Sequence, residues 1–289
     1  MQTSDLKGRT LPFLLRLLAA LPLSVLHGLG RALGCLAFAI PGRYRRNLQA
    51  NAAQAGFADP AFARKAAGET GAMMSELAKI WFRSPTSLSR VQCEDWEIIQ
   101  AALAEGRGLI LLTPHLGCFE LAARYAAERI PFTIMFRPHR KAIFRQLLES
   151  VRDSSRMTAV PATSQGVRAF VRALRSGEAV GLLPDQAPKG EGVWAPFFGR
   201  MAYTMTLPCK LAAQTGAPII VAAGERLPAG RGWRMHVKRL EGPVPETSDA
   251  QAGWINAEME EMILRFPHQY LWGYNRYKTP AHASLAPDR

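Results

Sequence analysis

The sequence has little cysteine, and its four cysteines are scattered. Cys35, Cys93, Cys118 and Cys209 form no C-x-x-C pair in 289 residues. Neither a structural zinc site nor a disulfide framework is therefore expected, and the composition suits a reducing compartment. Cys118 lies close to the candidate site residues His115 and Glu120, but a lone cysteine is more often a small buried apolar residue.

Several motifs that mark familiar enzyme classes are also missing. No G-x-G-x-x-G follows an apolar run, and no H-E-x-x-H is present, so we predict neither a nucleotide cofactor nor a metal. No G-x-S-x-G elbow offers a serine nucleophile. The basic residues are not interleaved with a stacking aromatic motif, which argues against a nucleic-acid partner.

Acidic residues are scarce relative to basic ones. The chain has 36 lysines and arginines against 23 acidic residues, a formal charge of +13. A charge of this size implies an anionic partner, such as a membrane face, an acidic protein or an acidic ligand. Two successive helical patterns carry basic stripes, one over 140–152 and one with Arg168, Arg172 and Arg175.

The longest apolar stretch, residues 11–40, is interrupted by Arg16, His27 and Arg31. At 100° per residue these three fall within about 60° of each other on a helical wheel. A narrow polar stripe is typical of a membrane helix whose stripe faces protein, or of a helix that lies in the interface. A buried core helix is the alternative. Pro22 predicts a kink.

The residues after this stretch predict its orientation. No small-x-small cleavage site comes after it, so a cleaved signal peptide of the usual form is not expected. The basic cluster of Arg43, Arg45 and Arg46 places the remainder of the chain on the cytoplasmic side. We therefore predict a membrane-associating helix over 1–42 and a catalytic domain over 43–289. Deleting 1–42 should release much of the protein from membranes and expose little of the catalytic core.

The stretch 106–125 carries the main candidate site. Leu109–Leu112 is an apolar run with the length of a buried strand, and Thr113-Pro114 ends it. His115 and Glu120 come next, at the head of a helical pattern. If His115 lies in the turn and Glu120 in the first helical turn, the carboxylate can fix the imidazole tautomer and leave the other nitrogen as a base. The alternative is a surface histidine beside a glutamate favoured by the helix dipole.

Polar groups also come after two further apolar runs. Arg137 comes directly after Ile130–Phe136, and Asp185 follows Ala179–Leu183 and Pro184. These runs alternate with helical patterns, which predicts an α/β fold with a mostly parallel central sheet flanked by helices. Because the carboxyl ends of parallel strands meet at one edge, we expect His115, Glu120, Arg137 and Asp185 to converge there.

The ordered set of motifs resembles a known family. HxxxxE at His115–Glu120, F-R-P at 136–138, P-D-Q at 184–186 and P-F-F-G-R at 196–200 look like the lipid A biosynthesis late acyltransferases. These belong to the broader glycerolipid acyltransferase superfamily. The resemblance runs from the N-terminal apolar stretch to the W-x-x-x-R-Y-K ending. Cys118-Phe119 departs from the Asn-Trp of many members, which bears on packing or acceptor detail.

The resemblance implies an enzyme at the cytoplasmic face of the inner membrane. It would transfer a fatty acyl chain from acyl carrier protein to a hydroxyl of a lipid A precursor. His115 would be the base and Glu120 its partner, while Arg137, Asp185 and Arg200 would contact substrate. Two alternatives stay open: the same chemistry on another acceptor (a lysophospholipid, a mannosylated inositol lipid or an aminoacyl lipid), or a non-enzymatic basic membrane binder.

Overall fold

The computed structural model describes residues 12–136, 156–284 and 286. Arg137 and the basic helical pattern over 140–152 lie outside the described residues, and so does the N-terminal end of the first apolar stretch.

A mostly parallel sheet forms the centre of the described fold. Its seven strands have the order β1-β9-β8-β2-β5-β3-β4, and every neighbouring pair is parallel except β8 and β9. The strands are β1 (Val91–Gln92), β2 (Leu109–Leu112), β3 (Phe132–Phe136), β4 (Met157–Pro161), β5 (Ala179–Leu182), β8 (Ile219–Arg226) and β9 (Trp233–Arg239). A separate antiparallel hairpin joins β6 (Val193–Phe197) to β7 (Arg200–Thr204). The prediction of a mostly parallel α/β sheet is confirmed.

Helices cover both faces of this sheet. They are α1 (Leu23–Ala39), α2 (Arg43–Gln54), α3 (Pro60–Phe82), α4 (Ser84–Leu88), α5 (Trp96–Ala104), α6 (Phe119–Ala127), α7 (Ser164–Arg175), α8 (Leu207–Thr215) and α9 (Ser248–Arg265). A further helical stretch, 12–20, precedes α1. Side chains of β2 alternate between two cores: Ile110 and Leu112 pack with α7, α8 and α9, while Leu109 and Leu111 pack with α5 and α6. A strand that is buried on both faces reads as a continuous apolar run, which is why the sequence identified it.

Helix α1 packs along helix α3 and also exposes an apolar face. The two helices approach each other at Gly30 and Gly71, so closely that a Cβ on Gly71 would lie 1.9 Å from the Gly30 carbonyl oxygen. Leu23 and Phe38 belong to the two cores. The opposite face exposes Leu29, 49%, and Leu33, 65%. The helix is therefore part of the packed fold as well as a surface element, and the boundary drawn near residue 42 stays a prediction.

The polar stripe of the N-terminal stretch faces protein. Arg16 lies over the Phe82 ring, His27 bonds to Glu76, and Arg31 bonds to Glu69. The helix is interrupted between the stretch 12–20 and α1, where Pro22 precedes the first residue of α1. Of the helices described here, none alone has the length and apolarity to cross a membrane. Helices α1 and α2 meet the length and composition criterion only as a pair, and they are bent by 98°.

The strand β4 and the hairpin β6–β7 are among the elements that the sequence patterns did not predict. Thr158 and Ala159 of the edge strand β4 are exposed, so this strand gives no apolar run. The hairpin β6–β7 carries Pro196, which argues against a strand. Helix α7 begins at Ser164, and helix α9 has Thr247 as its N-cap, whose hydroxyl accepts the Ala250 N–H.

Candidate active site

The site is built on the loop that follows β2 at the carboxyl edge of the sheet. This loop, 113–118, which we call the catalytic loop after its candidate role, is held by three backbone bonds to two other segments of the chain. The Gly117 N–H donates to the Gln269 carbonyl (3.0 Å), the Cys118 N–H to the Gly224 carbonyl (2.7 Å), and the Leu271 N–H to the His115 carbonyl (3.0 Å). Gly117 has φ +56°, and a Cβ there would lie 2.0 Å from the Gly224 oxygen, so only glycine fits.

His115 and Asp185 meet because of the strand register. In the parallel pair β2–β5, Leu112 is level with Leu182, and each site residue lies three positions beyond its strand. The His115 Nδ1 is 2.8 Å from Asp185 Oδ1, and the His115 backbone N–H donates to Oδ2 at 3.0 Å. Since an ionised carboxylate only accepts, Nδ1 carries the proton. In the neutral ring Nε2 then keeps its lone pair.

The Asp185 carboxylate is buried yet ionised. Its side chain is 1% exposed, against 18% for that of His115. Burial alone would raise the pKa of Asp185, but His115, through its charge and its side-chain and backbone bonds, and then Arg276 hold that pKa below its usual value. Burial, and then the negative charge of Asp185, raise the pKa of the Tyr270 hydroxyl well above its usual value. A fixed negative charge therefore stands behind the imidazole.

An apolar cavity of about 310 Å³ opens in front of this pair. Its polar wall is formed by His115, Glu120 and Gln186. The remaining lining is largely apolar and comes from β3, β5 and neighbouring segments: Phe119, Ala123, Ile134, Met135, Phe136, Ala162, Gly181, Leu182, Leu183, Ala187 and Met205. Few polar groups in an apolar concave site are typical of a small-molecule or lipid site.

A second cavity, of about 460 Å³, adjoins the first. The two share Met135, Ala162, Leu182 and Met205 in their walls. Its far side is formed by the starts of α7 and α8, with Ser164 and Lys210. The two cavities therefore lie side by side, separated only by these four side chains.

Glu120 lines the first cavity in the first turn of α6. Its carboxylate accepts a bond from Trp81 Nε1 at 3.3 Å and lies 4.0 Å from Arg124 Nε. The expectation that Glu120 would bond one ring nitrogen of His115 and fix its tautomer is wrong, because Asp185 bonds Nδ1. The reason lies in position: Asp185 is brought level by the neighbouring strand, while Glu120 points from the start of a helix.

The remaining predicted site residues are in different places. Arg200 lies at the start of β7 and stacks over the Tyr277 ring at 4.7 Å; it is not among the residues that line the first cavity. Arg137 is outside the described residues, so its substrate role stays a prediction. Among the described residues, no three His, Cys, Asp or Glu side chains are grouped as a metal ion would require.

Sequence reasoning missed two residues behind the pair, Tyr270 and Arg276. Arg276 belongs to the W-x-x-x-R-Y-K ending at 272–278, and Tyr270 lies two residues before that ending. Arg276 is buried and donates to the Tyr203 carbonyl and to Thr204 Oγ1. An arginine and a tyrosine in an aromatic C-terminal segment were the available signal, since a buried arginine is rare without a specific partner.

Comparison with known proteins gives consistent matches. A family model described as bacterial lipid A biosynthesis acyltransferase matches residues 11–279. The chain is 27% identical to the lipid A biosynthesis lauroyltransferase of Escherichia coli K12 over 214 residues, 72% of this chain and 69% of that protein. It is 29% identical to the palmitoleoyltransferase of the same organism over 216 residues, with the same coverage.

A relative that acts on a different lipid also matches. The chain is 26% identical to the phosphatidylinositol mannoside acyltransferase of Mycolicibacterium smegmatis over 208 residues. This alignment covers 68% of this chain and 65% of that protein.

Proposed function

The chain belongs to the bacterial lipid A biosynthesis acyltransferase family, and from this premise we propose that it moves a fatty acyl group from a thioester to a hydroxyl of a lipid A precursor. One observation carries the proposal. His115 has its Nδ1 fixed by a buried aspartate, and the same side chain lines an apolar cavity of about 310 Å³. A base, its counter-charge and room for a hydrocarbon chain thus meet at one sheet edge.

The transfer proceeds directly in this proposal. His115 Nε2 takes the proton from the acceptor hydroxyl, and the oxygen attacks the thioester carbonyl carbon. The tetrahedral oxyanion then expels the thiolate as the C–S bond breaks, and the imidazolium returns the proton to sulfur. The N-terminal end of α6, beside His115, favours the developing negative charge. No covalent enzyme intermediate is required.

Asp185 has the orienting role that the sequence had given to Glu120. It fixes the tautomer of His115 and stabilises the imidazolium that forms during transfer. Glu120, on the wall of the same cavity, is placed to contact the substrate. The acyl chain enters the first cavity, of about 310 Å³, and its far end reaches the adjoining cavity, of about 460 Å³.

We place the protein on an anionic membrane face through helix α1, corresponding to the cytoplasmic face of the inner membrane. The supporting feature is an exposed apolar line on this helix, spaced by three or four residues, opposite the face that packs on α3. Its members are Val25, Leu29, Leu33, Leu36 and Ile40. A helix of this kind lies in the interface, with its apolar side among the acyl chains.

Vesicle flotation tests this placement. The double variant Leu33→Glu/Leu36→Glu should lose most binding to vesicles that contain anionic lipid. The matched control is Leu264→Glu, an exposed leucine on α9 that is 50% accessible. The control should float like the wild type. Equal flotation of the double variant would contradict the interfacial position of α1.

The donor in this proposal is an acyl chain carried by an acidic carrier protein. Arg168, Arg172 and Arg175 form an exposed stripe on α7, the helix whose first residue lines the second cavity. Complementary charge steers such a partner and mainly changes the association rate. The variant with all three arginines changed to glutamate should lose about 10-fold in kcat/KM for the carrier thioester.

The same variant separates a carrier surface from other roles of the stripe. Transfer from the corresponding coenzyme A thioester should be unaffected. The matched control changes Arg107, Arg234 and Arg265, three exposed arginines elsewhere, to glutamate. If the stripe variant and the control lose the same activity with the carrier donor, the stripe is not the carrier surface.

A competition assay identifies the lipid that accepts the acyl group. Purified protein in vesicles is given a labelled acyl thioester with a lipid A precursor, a lysophospholipid or a mannosylated inositol lipid. We expect transfer to the lipid A precursor. Preferential transfer to the inositol lipid, the class named for the mycobacterial relative, would replace the acceptor but keep the chemistry. No transfer to any acceptor from any thioester would overturn the proposed function.

A further inference from the structure

A buried group of charges lies beneath the catalytic loop. Arg226, the last residue of β8, has a fully buried side chain between two glutamates of α3. Its Nε and Nη2 donate to the Glu76 carboxylate at 3.1 and 2.6 Å, and Nη1 donates to Glu69 at 2.7 Å. The guanidinium fork is thus fixed on two sides.

The same arginine also reaches the catalytic loop. Its Nη2 donates to the Gly117 carbonyl at 3.3 Å, two residues after His115. Its backbone N–H donates to Gln269 Oε1 at 2.8 Å, and Gln269 Nε2 donates back to its carbonyl at 3.0 Å. Since the Gly117 N–H donates to the Gln269 carbonyl, both polar groups of the Gly117 backbone depend on this arrangement.

Helix α1 contributes two further side chains that bond the same glutamates. His27 Nε2 donates to Glu76 at 2.9 Å, and Arg31 Nε donates to Glu69 at 2.7 Å. These residues lie on the inner face of the helix whose outer face exposes the apolar line. The glutamates are therefore shared between α1 and the arginine that holds the loop.

Stability alone is a poor reason for so many buried charges. Removing charges from water has a large desolvation cost, and replacing a buried ionic group by apolar residues is often neutral or stabilising. What apolar residues cannot supply is a directed donor to one carbonyl oxygen, and lysine lacks the planar fork that bonds three acceptors at once.

We propose that Arg226 is a positioning residue for His115, acting through Gly117 and Gln269. The side chain does not touch substrate. It fixes the catalytic loop so that Nε2 of His115 stands at the correct distance from the acceptor hydroxyl, and its glutamate partners join that loop to helix α1. This inference rests on the proposed function only in that His115 is the base.

The test uses a neutral replacement that leaves no buried charge unpaired within the trio. The variant Glu69→Gln/Glu76→Gln/Arg226→Met keeps the size of the two α3 side chains and an unbranched stem at position 226. We expect it to fold, to keep the acceptor KM, and to lose about 10- to 100-fold in kcat, because misplacement of a reacting group is felt in the transition state. Arg226→Lys keeps the charge and should also leave the acceptor KM unchanged while lowering kcat, but by a smaller factor.

A nearby hydrogen-bonded pair provides the matched control. Glu225, which precedes Arg226 in β8, is 2.9 Å from Nε2 of His236 in the neighbouring strand β9. The variant Glu225→Gln/His236→Gln should keep the wild-type kcat. The acid limb of the kcat profile should move in the neutral triple variant and stay in place in this control.

Hydrogen exchange supplies a readout that needs no activity. The Gly117 amide should exchange at least about 10-fold faster in the triple variant, because the loop loses its support. Its exchange rate should be unchanged in the control. A folded triple variant with wild-type kcat, pH profile and Gly117 protection would overturn the inference. If the triple variant does not fold, wild-type kcat and Gly117 protection in Arg226→Lys would overturn it.

Wild-type transfer is measured first, so that the two proposals fail separately. An active wild type with an unaffected variant refutes only the role of Arg226. A wild type without transfer from any thioester refutes the proposed function, and the exchange of Gly117 still decides whether Arg226 holds the loop.

Discussion

The exchange Asp185→Asn distinguishes the two carboxylates near His115. Asp185 accepts two bonds from His115, one from Nδ1 and one from the backbone N–H. An asparagine offers one acceptor oxygen and one NH₂ group, so one of these donors loses its acceptor. If NH₂ faces the ring, Nδ1 must accept and the proton moves to Nε2, which is then no longer a base.

We expect kcat to fall about 10²- to 10⁴-fold in Asp185→Asn, approaching the loss in His115→Ala. Glu120→Gln should lose less, since its carboxylate bonds Trp81 rather than Nδ1. The assay is transfer of labelled acyl group to the acceptor under saturating donor, with folding checked by circular dichroism.

The opposite ranking would refute this reasoning. If Glu120→Gln matches His115→Ala while Asp185→Asn stays within a few-fold of wild type, the Nδ1 contact is not the catalytic one. Equal, large losses in both variants would mean that both carboxylates are needed at the transition state. Near-wild-type transfer by folded His115→Ala would remove the mechanism altogether.

Three further predictions concern the surroundings of the site. Gly117→Ala should lower the melting temperature and abolish most transfer, because its left-handed backbone and the Gly224 oxygen leave no room for a methyl group; thermal unfolding measures this. Burial would raise the pKa of Glu76, but Arg226 and His27 lower it to about 2. About 3 kcal/mol of the free energy of unfolding, present above pH 4.5, should therefore be lost as the pH falls toward 2. Unfolding measured across this pH range should show a smaller loss in Glu76→Gln. Burial, and then Glu76, raise the pKa of the Cys118 thiol well above its usual value, so mass spectrometry should find it unalkylated in the folded protein at pH 8.

Much of the sheet could be predicted because its central strands are buried on both faces. β2, β5 and residues 219–223 of β8 are apolar runs without interruption, and the ends of these runs are marked by glycine or proline. Such strands are visible in sequence because no polar face interrupts them. β4 and the hairpin were not visible, since their pairing depends on partners that no local pattern encodes.

The candidate site was predicted in part for the same reason. Polar residues just beyond parallel strands meet at one edge, and this rule brought His115 and Asp185 together. It could not choose the partner of Nδ1, because Glu120 is near in sequence and Asp185 is near in register. The choice depends on which strand neighbours β2, and only the sheet order, with β5 adjacent, decides it.

The N-terminal stretch shows how one pattern can serve two requirements. Its polar stripe contacts protein in the structure, and its other face exposes the apolar side chains on which the proposed membrane placement rests. His27 and Arg31 point inward to glutamates of α3, while Leu33 and Leu36 point outward. A helix that only anchored the protein would not need a buried histidine on its inner face. Since those glutamates also hold Arg226, removing α1 would leave their charges without two partners and loosen the support of the catalytic loop.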